Sequence, residues 1–394
     1  MADLRKVYTY SVLIDGIEAN GLTLAGASIN YGSTGEARKV EPTDARLTLI
    51  SRDAAPEIAD QYPGIGLGDH SKPSGFTDDY RDKYEGAFTQ LVPGASVEVI
   101  ARPVLTGFDD AYLDEYVGAG ESTRFVGHIG AIDYTPAYVG LTCVDRLGPL
   151  NRIEIGAGNW PQENETARAT RIETESGIDY SIVGTSTATL AARTGQTVKA
   201  LEALAELARD CDALLWANRL GQITYRTRTS DTGSVVYHLP PNAVLVDSLS
   251  MSNEIGRVYN SVVVEYGNPK ANVTVENAAS VAKYGERDTR FTTGLATAGD
   301  ATTYGNRYLA GHAETYWRMP SVTVDLAIAD YNDIPDLLDI DLDDEVVVPT
   351  AALRGAPVEE YQARVVGYTE TLDPYAWRIT YSLSPQGWTR KANV

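Results

Sequence analysis

The pattern that most constrains this chain is alternation. In AWRITYSLSP, residues 376–385, Trp377, Ile379, Tyr381 and Leu383 fall at every second position. A strand's period of two puts all four on one face. Similar strand-like runs occur in RVYNSVVVEYG, SVTVDLAI, EVVVP and ARVVGYTETL, and at the other end in VYTYSVLID, DARLTLIS, SVEVIARP and RFVGHIGAIDYTP. A chain with so many half-buried strands is predicted to be mainly β (β+α). Asp15-Gly16, directly after the first run, is a hairpin turn signal.

One stretch breaks the alternation. In TVKALEALAELARDCDA, Val198, Leu201, Leu204, Ala205, Ala208 and Cys211 recur at three- and four-residue spacing, the apolar face of a helix. ENETARATRIETES ahead of it reads as a second helix, with Asn164 placed to cap it. ALLWA and QITYRT after it read as a hairpin across NRLG, where Gly221 can take a positive φ. The resulting plan has a first β domain over 1–145, an α/β insert over 146–238 and a second β domain over 239–394. A helix at about 300–317 is inserted in the last, with Asp300 as cap and Pro320 as stop. TVENAASVAKYGERDTRFTT is read as strand, turn and polar connection. Two long irregular stretches, 53–93 and 104–123, hang on the first domain. Loops of that length in a compact domain are often functional.

Composition excludes several classes. Asp and Glu outnumber Lys and Arg by 54 to 33, a formal net charge of -21. Such a chain does not hold nucleic acid by counterion release, which needs clustered bases. A surface that repels DNA still suits something DNA slides past. Cys143 and Cys211 sit singly among apolar residues and build neither a disulfide framework nor a zinc ligand set. The N terminus lacks the apolar stretch of a signal peptide, and no apolar run approaches the ~18 residues of a membrane span. The chain is therefore expected to be made in a cytoplasm and to stay soluble, so the sequons at Asn164 and Asn272 are chance matches. Tyr is in excess, 24 against 5 Phe and 5 Trp, which suits half-buried strands and wet protein interfaces.

The most conspicuous candidate for chemistry is LLDIDLDDEVVVP, residues 337–349. Asp339, Asp341 and Asp343 alternate there, followed by Asp344 and Glu345. A calcium loop of the EF-hand type needs a turn glycine and a later bidentate Glu. Ile340 and Leu342 fill the gaps instead, and a strand follows at once. In an extended segment the three Asp share one face and Leu338, Ile340 and Leu342 the other, an amphipathic lead-in to a strand.

GIGLGDHSKPSG lacks the strand, the helix and the Lys-Ser/Thr pair of a phosphate loop. His70, His128, His238 and His312 show no metal-ligand spacing, and no nucleophile motif is present. No catalytic residue, metal site or cofactor is assigned. Asp109, Asp110, Tyr112, Asp114, Glu115 and Tyr116 form an acidic, aromatic stretch. It suits a sugar, a cation or a protein contact, and these are the candidate partner-contact residues.

GRVYNSVVVEYG, SVAKYGER, a helix, VTVDLA, LLDIDLDDEVVV, VVGYTETL and WRITYSLSP follow one another in an order that resembles the C-terminal half of minor tail proteins of long-tailed actinobacterial phages. RFVGHIGAID, DRLGPLNR, WPQE and the Leu-rich helix resemble their N-terminal half. Those proteins belong to the tail hub group, similar to the baseplate hub of contractile phages. The resemblance implies two β-barrel-like hub domains with the α/β insert between them. It also implies a homotrimeric ring that caps the tail tube at the tail tip of the virion, adapts six-fold to three-fold symmetry and lets DNA out. Its neighbours would be the distal tail protein, the tape measure protein and other tail-tip proteins. DNA would pass without specific binding. In the family the acidic segment reads L-x-L-D-x-G-D-x-V-x-V, a turn feeding a barrel strand. Asp341 and Asp344 match its acids, and Asp343 stands where Gly is usual.

The chain stops soon after LSPQGW, so no hydrolase or fibre extension is expected. Two rival readings carry different expectations. A peripheral tail protein holding host-surface glycan on its acidic loops would bind saccharide in isolation. A cell-wall hydrolase using loop carboxylates would lose activity on Asp110→Asn or Asp114→Asn with its fold intact.

Overall fold

The computed structural model describes residues 7–18, 22–32, 43–51, 91–104, 122–135, 138–227, 235–373 and 376–385. The N-terminal region contributes β1 (Val7–Ile14), β2 (Ile17–Glu18), β3 (Leu22–Gly32), β4 (Asp44–Ser51), β5 (Ser96–Val104), β6 (Ser122–Tyr134) and β7 (Val139–Val144). Asp15 and Gly16 both have positive φ, 50° and 77°, as the hairpin signal requires. The middle region contains α1 (Leu147–Leu150), β8 (Glu154–Ile155), β9 (Glu163–Asn164), α2 (Glu165–Ser176), β10 (Ser181–Val183) and β11 (Thr189–Leu190). It continues with β12 (Val198–Lys199), α3 (Ala200–Cys211), β13 (Leu214–Ala217) and β14 (Ile223–Arg226). The C-terminal region runs β15 (Val236–His238), β16 (Ser261–Tyr266), β17 (Ala271–Glu276), α4 (Ala278–Tyr284), β18 (Asp288–Thr292) and α5 (Ala298–His312). It ends with β19 (Ser321–Asp325), α6 (Ile334–Asp339), β20 (Glu345–Pro349), β21 (Glu360–Asp373) and β22 (Ala376–Pro385).

The mainly β class is as expected. Strands from both ends, however, run in one 12-stranded sheet of order β15-β20-β21-β3-β4-β7-β6-β5-β1-β2, with β22 on β21 and β19 on β22. Among the described residues this path keeps two ends, so no barrel is closed. The joint is β21. A bulge between Val365 and Gly367 divides it. Its first half pairs with β20 and its second half with β3. Bulges bend a strand and re-aim it in this way. At the crossing Gly32 has φ 65°, and a Cβ there would lie 2.5 Å from the Val366 carbonyl oxygen, so only glycine permits the approach.

One apolar core serves both ends, with Ile29, Leu47 and Phe125 in the same cluster as Val346, Trp377 and Tyr381. Trp377, Ile379, Tyr381 and Leu383 are all buried, as their alternation predicts. The insert has its own core around Trp160, Ile172, Leu204 and Tyr225. Asn164 caps α2 by accepting the Ala167 amide at 2.8 Å. The β13–β14 hairpin turns through Gly221 at φ 72°.

Residues 261–312 form a further small module, the sheet β17-β16-β18 packed on α5 through Val262, Val264, Ala301 and Leu309. Here three readings change. SVAKYGER is not a turn, because α4, capped by Asn277 on the Ser280 amide, covers most of it. Thr297 rather than Asp300 caps α5, and Asp300 sits in its first turn. The helix ends at His312, well before Pro320. There the Ser280 hydroxyl donates to the Ala313 carbonyl at 2.5 Å and Tyr308 and His312 stack.

Candidate functional site

The N-terminal strands, the insert and the C-terminal strands meet at a buried polar junction. Arg124 enters it from β6 and Glu370 from β21. Arg124 Nε lies 2.9 Å and Nη2 2.7 Å from the two Glu370 carboxylate oxygens. Both side chains are closed to solvent, 1% and 0% exposed. Trp377 Nε1 donates to Glu370 at 2.7 Å, and Arg124 Nη1 donates to Ser122 Oγ and to the Leu338 carbonyl, each at 3.0 Å. Tyr31 OH donates to the Arg124 carbonyl, and Tyr381 OH to that of Leu337 at 3.0 Å. Burial opposes the charge of Arg124, but the adjacent Glu370 carboxylate outweighs it and holds the guanidinium ionised. Burial also pushes the Tyr31, Tyr368 and Tyr381 hydroxyls well up.

The acidic segment forms the other half of the junction and leads into a strand as predicted, but its first part is helical rather than extended. Ile334–Asp339 is helical, with a proline in its first turn, and the chain then turns sharply into β20. The apolar side is as expected, with Leu338, Ile340 and Leu342 buried. The acids do not share one solvated face. Asp339 is 69% exposed, whereas Asp343 is only 7% exposed. Asp343 has φ 72°, the left-handed conformation that glycine takes most readily, and Asp is among the few other residues that tolerate it.

That turn aims the Asp343 carboxylate at two arginines. It pairs with Arg226 of β14 and with Arg364 of β21, the latter at 3.0 Å. Arg364 also reaches Glu345 at 3.2 Å. Arg226 lies over the Trp216 ring, 5.5 Å from its centroid. Next to it Arg219, at the tip of the insert hairpin, donates to the Leu338 carbonyl and to Asp339 Oδ1, the latter at 3.2 Å. Within the turn the Asp341 amide donates to Asp344 Oδ2 at 2.8 Å. Burial raises both carboxyls, that of Asp344 to about 6 with Asp341 and Asp343 adding repulsion.

The charges of this junction face other groups of the same chain. The arrangement is a cross-brace between three regions. Among the described residues no group of three or more His, Cys, Asp or Glu could hold a metal ion. No described helix is long and apolar enough to cross a membrane. A shallow groove of about 630 Å³ runs along α2, lined by Thr166, Thr170, Thr174, Arg171 and Glu175. The Thr170 and Thr174 hydroxyls donate back to helix carbonyls.

Asp109, Asp110, Tyr112, Asp114, Glu115 and Tyr116, like most of 53–93, lie outside the described residues. Sequence reasoning did not single out Arg124, Glu370, Arg226 or Arg364. One signal was present: Glu370 stands between Tyr368 and Leu372 in the inward register of its strand, and a charge there requires a buried partner.

No protein-family model and no curated protein matches the chain. Solved structures do match it. The 43 kDa tail protein of prophage MuSo2 from Shewanella oneidensis aligns with a TM-score of 0.59 at 11% identity, over 96% of this chain and 98% of that one. A tail protein from Neisseria meningitidis MC58 gives 0.56 at 11%, over 97% and 98%. An Escherichia coli component of the type VI secretion system, described as structurally similar to the T4 bacteriophage tail proteins gp27 and gp5, gives 0.51 at 10%, over 95% and 77%. At these identities the likeness is one of fold.

Proposed function

We propose that this chain is a structural protein of a phage tail, and within the tail the central hub of the tip. Three copies form a ring that caps the tail tube, converts six-fold to three-fold symmetry and opens for DNA. The observation that carries this reading is the fold it shares with tail proteins, one of them from a prophage, over nearly the full length of both chains. The order of strand motifs in the sequence points to the same place. In this reading 1–145 and 239–394 are the two hub domains and 146–238 the insert between them. The neighbours are the distal tail protein, the tape measure protein and other tail-tip proteins, and the site of action is the distal end of the virion after assembly in the host cytoplasm.

The physical features suit that role. A ring subunit under load needs regions that do not slide, and the Arg124–Glu370 pair ties strands far apart in sequence inside one core. The net charge of -21 disfavours holding DNA in passage. We assign no catalysis to the chain. The segment 109–116 is carried forward as a contact to neighbouring tail proteins.

Antibody labelling of intact virions by electron microscopy, with copy number from quantitative mass spectrometry, tests the proposal. Label at the distal tip with about three copies per particle is expected. Label on side fibres, absence from virions, or a copy number far from a multiple of three overturns it.

A further inference from the structure

The insert and the small 261–312 module meet along a seam of their own. The Ala191 amide donates to the Gly294 carbonyl at 2.8 Å, and the Ala296 amide to that of Thr189 at 2.7 Å. Leu190 bridges Leu295 between these bonds, and both side chains are buried. Asp210, in the last turn of α3, reaches across the seam, where its Oδ2 accepts the Gly294 amide at 2.7 Å. A Cβ on residue 294 would lie 2.7 Å from that same oxygen, so the contact needs glycine.

Asp210 is only 2% exposed, yet its second oxygen has no hydrogen-bond donor. The Arg209 guanidinium, itself 62% exposed, makes a loose ion pair with that oxygen at 3.6 Å, a contact that solvent screens. Glu206, Arg209 and Cys211 face the carboxylate from its own element, and Lys270 and Tyr304 face it from the small module. Lys270 Nζ donates to the Thr293 carbonyl at 2.7 Å. A buried carboxylate holding one hydrogen bond is poorly compensated when ionised, and separating the two surfaces would hydrate it.

We propose that Asp210 is the latch of this seam: the insert grips the small module while the carboxyl carries its proton, and the seam opens more often once it ionises. Burial pushes the closed-state carboxyl up to about 7, whereas an opened, hydrated carboxyl titrates at about 4. The closed form is therefore favoured in acid. Its advantage is lost as pH rises from about 4 to about 7 and is constant above.

The test is amide hydrogen exchange on the full chain from pH 5 to 8.5, each amide normalised to its intrinsic rate. Protection at Ala191, Gly294 and Ala296 is expected to fall by up to about tenfold per pH unit until about pH 7 and then level off. Amides of β21 and β22 serve as the control, and any slope they show is expected to be unchanged in Asp210→Asn. Asp210→Asn keeps an acceptor for Gly294 without the charge, so its profile is expected to be flat. A flat wild-type profile, or an unchanged slope in Asp210→Asn, overturns the proposal. If the variant does not fold, titration of the Asp210 carboxyl carbon by nuclear magnetic resonance decides. A midpoint near 7 is expected, and one in the ordinary carboxylate range overturns it.

Discussion

Arg124 and Glu370 stand 246 positions apart in sequence and form a fully buried ion pair with Nη2 and Oε2 2.7 Å apart. The pair sits where strands from the two ends of the chain share one core, and Trp377 completes the Glu370 carboxylate with an indole hydrogen bond. An ion pair so placed is worth little net stability against an apolar pair of the same volume, but either half alone is costly. Glu370→Ala leaves the Arg124 guanidinium buried without its counter-charge. It is expected to lower unfolding free energy by about 3–5 kcal/mol. The double variant Arg124→Met/Glu370→Leu is expected to be more stable than Glu370→Ala. Urea denaturation of both variants checks the order, and equal losses would show that packing rather than pairing sets the cost.

Asp343 combines a glycine-like φ of 72° with two arginine partners, and the two properties predict opposite outcomes for substitution. Asp343→Gly relieves about 1 kcal/mol of left-handed strain. It also withdraws a buried carboxylate from Arg226 and Arg364, a change that costs about 3–5 kcal/mol. A net loss of roughly 2–4 kcal/mol follows. Asp343→Asn keeps both the tolerance of the turn and an acceptor, so its loss is smaller. The expected stability order by chemical denaturation is wild type, Asn, Gly. A Gly variant at least as stable as wild type would mean that backbone conformation alone selects this residue.

The strands, their inward faces and the two insert helices were legible because each rests on local pattern: alternation around Trp377, the Asn164 cap, the glycine turn at Gly221. The pairing of β3 with β21 was not legible, because it joins the two ends of the chain and depends on a bulge at Val365/Gly367 that changes strand partners. In the acidic segment the alternating Asp predict an extended, amphipathic lead-in to a strand. A proline in the first turn and Ile334, Leu337 and Leu338 at three- and four-residue spacing make the competing helical signal, which packing on the core decides. The arginines that meet these acids arrive from the β13–β14 turn, β14 and β21, and no local pattern announces such a meeting.

Asp344 offers a pH-dependent test of the same turn. Burial raises its carboxyl to about 6, and Asp341 and Asp343 repel its charge. A raised folded-state value means that the charged form is penalised only in the fold. The penalty is absent below about pH 4, grows between about 4 and 6, and is complete above. Asp344→Asn retains an oxygen for the Asp341 amide, the bond it accepts at 2.8 Å. Because solvent screens this partly exposed carboxylate, the substitution is expected to raise stability by only about 1 kcal/mol at pH 7.5 and to change it little at pH 4. Urea melts at the two pH values measure this. An equal effect at both would assign the change to packing rather than to charge.

The insert hairpin is held against the main sheet by shape as well as by charge. Gly221 has φ 72°, and a Cβ there would lie 2.9 Å from Val126 Cγ1 on β6. Gly221→Ala therefore carries a backbone cost of about 1–2 kcal/mol and, separately, a steric cost against Val126. The second part vanishes if the valine is shortened. In a double-mutant cycle Gly221→Ala/Val126→Ala is expected to lose less stability than the two single losses summed, by an interaction of about 0.5–2 kcal/mol. Strict additivity would mean that the hairpin tip moves away without penalty. Arg219, two positions earlier and bonded to the Leu338 carbonyl, sets the limit on that movement. Arg219→Ala is accordingly expected to shrink the interaction measured in the cycle, because a tip freed from α6 accommodates the added methyl by shifting outward.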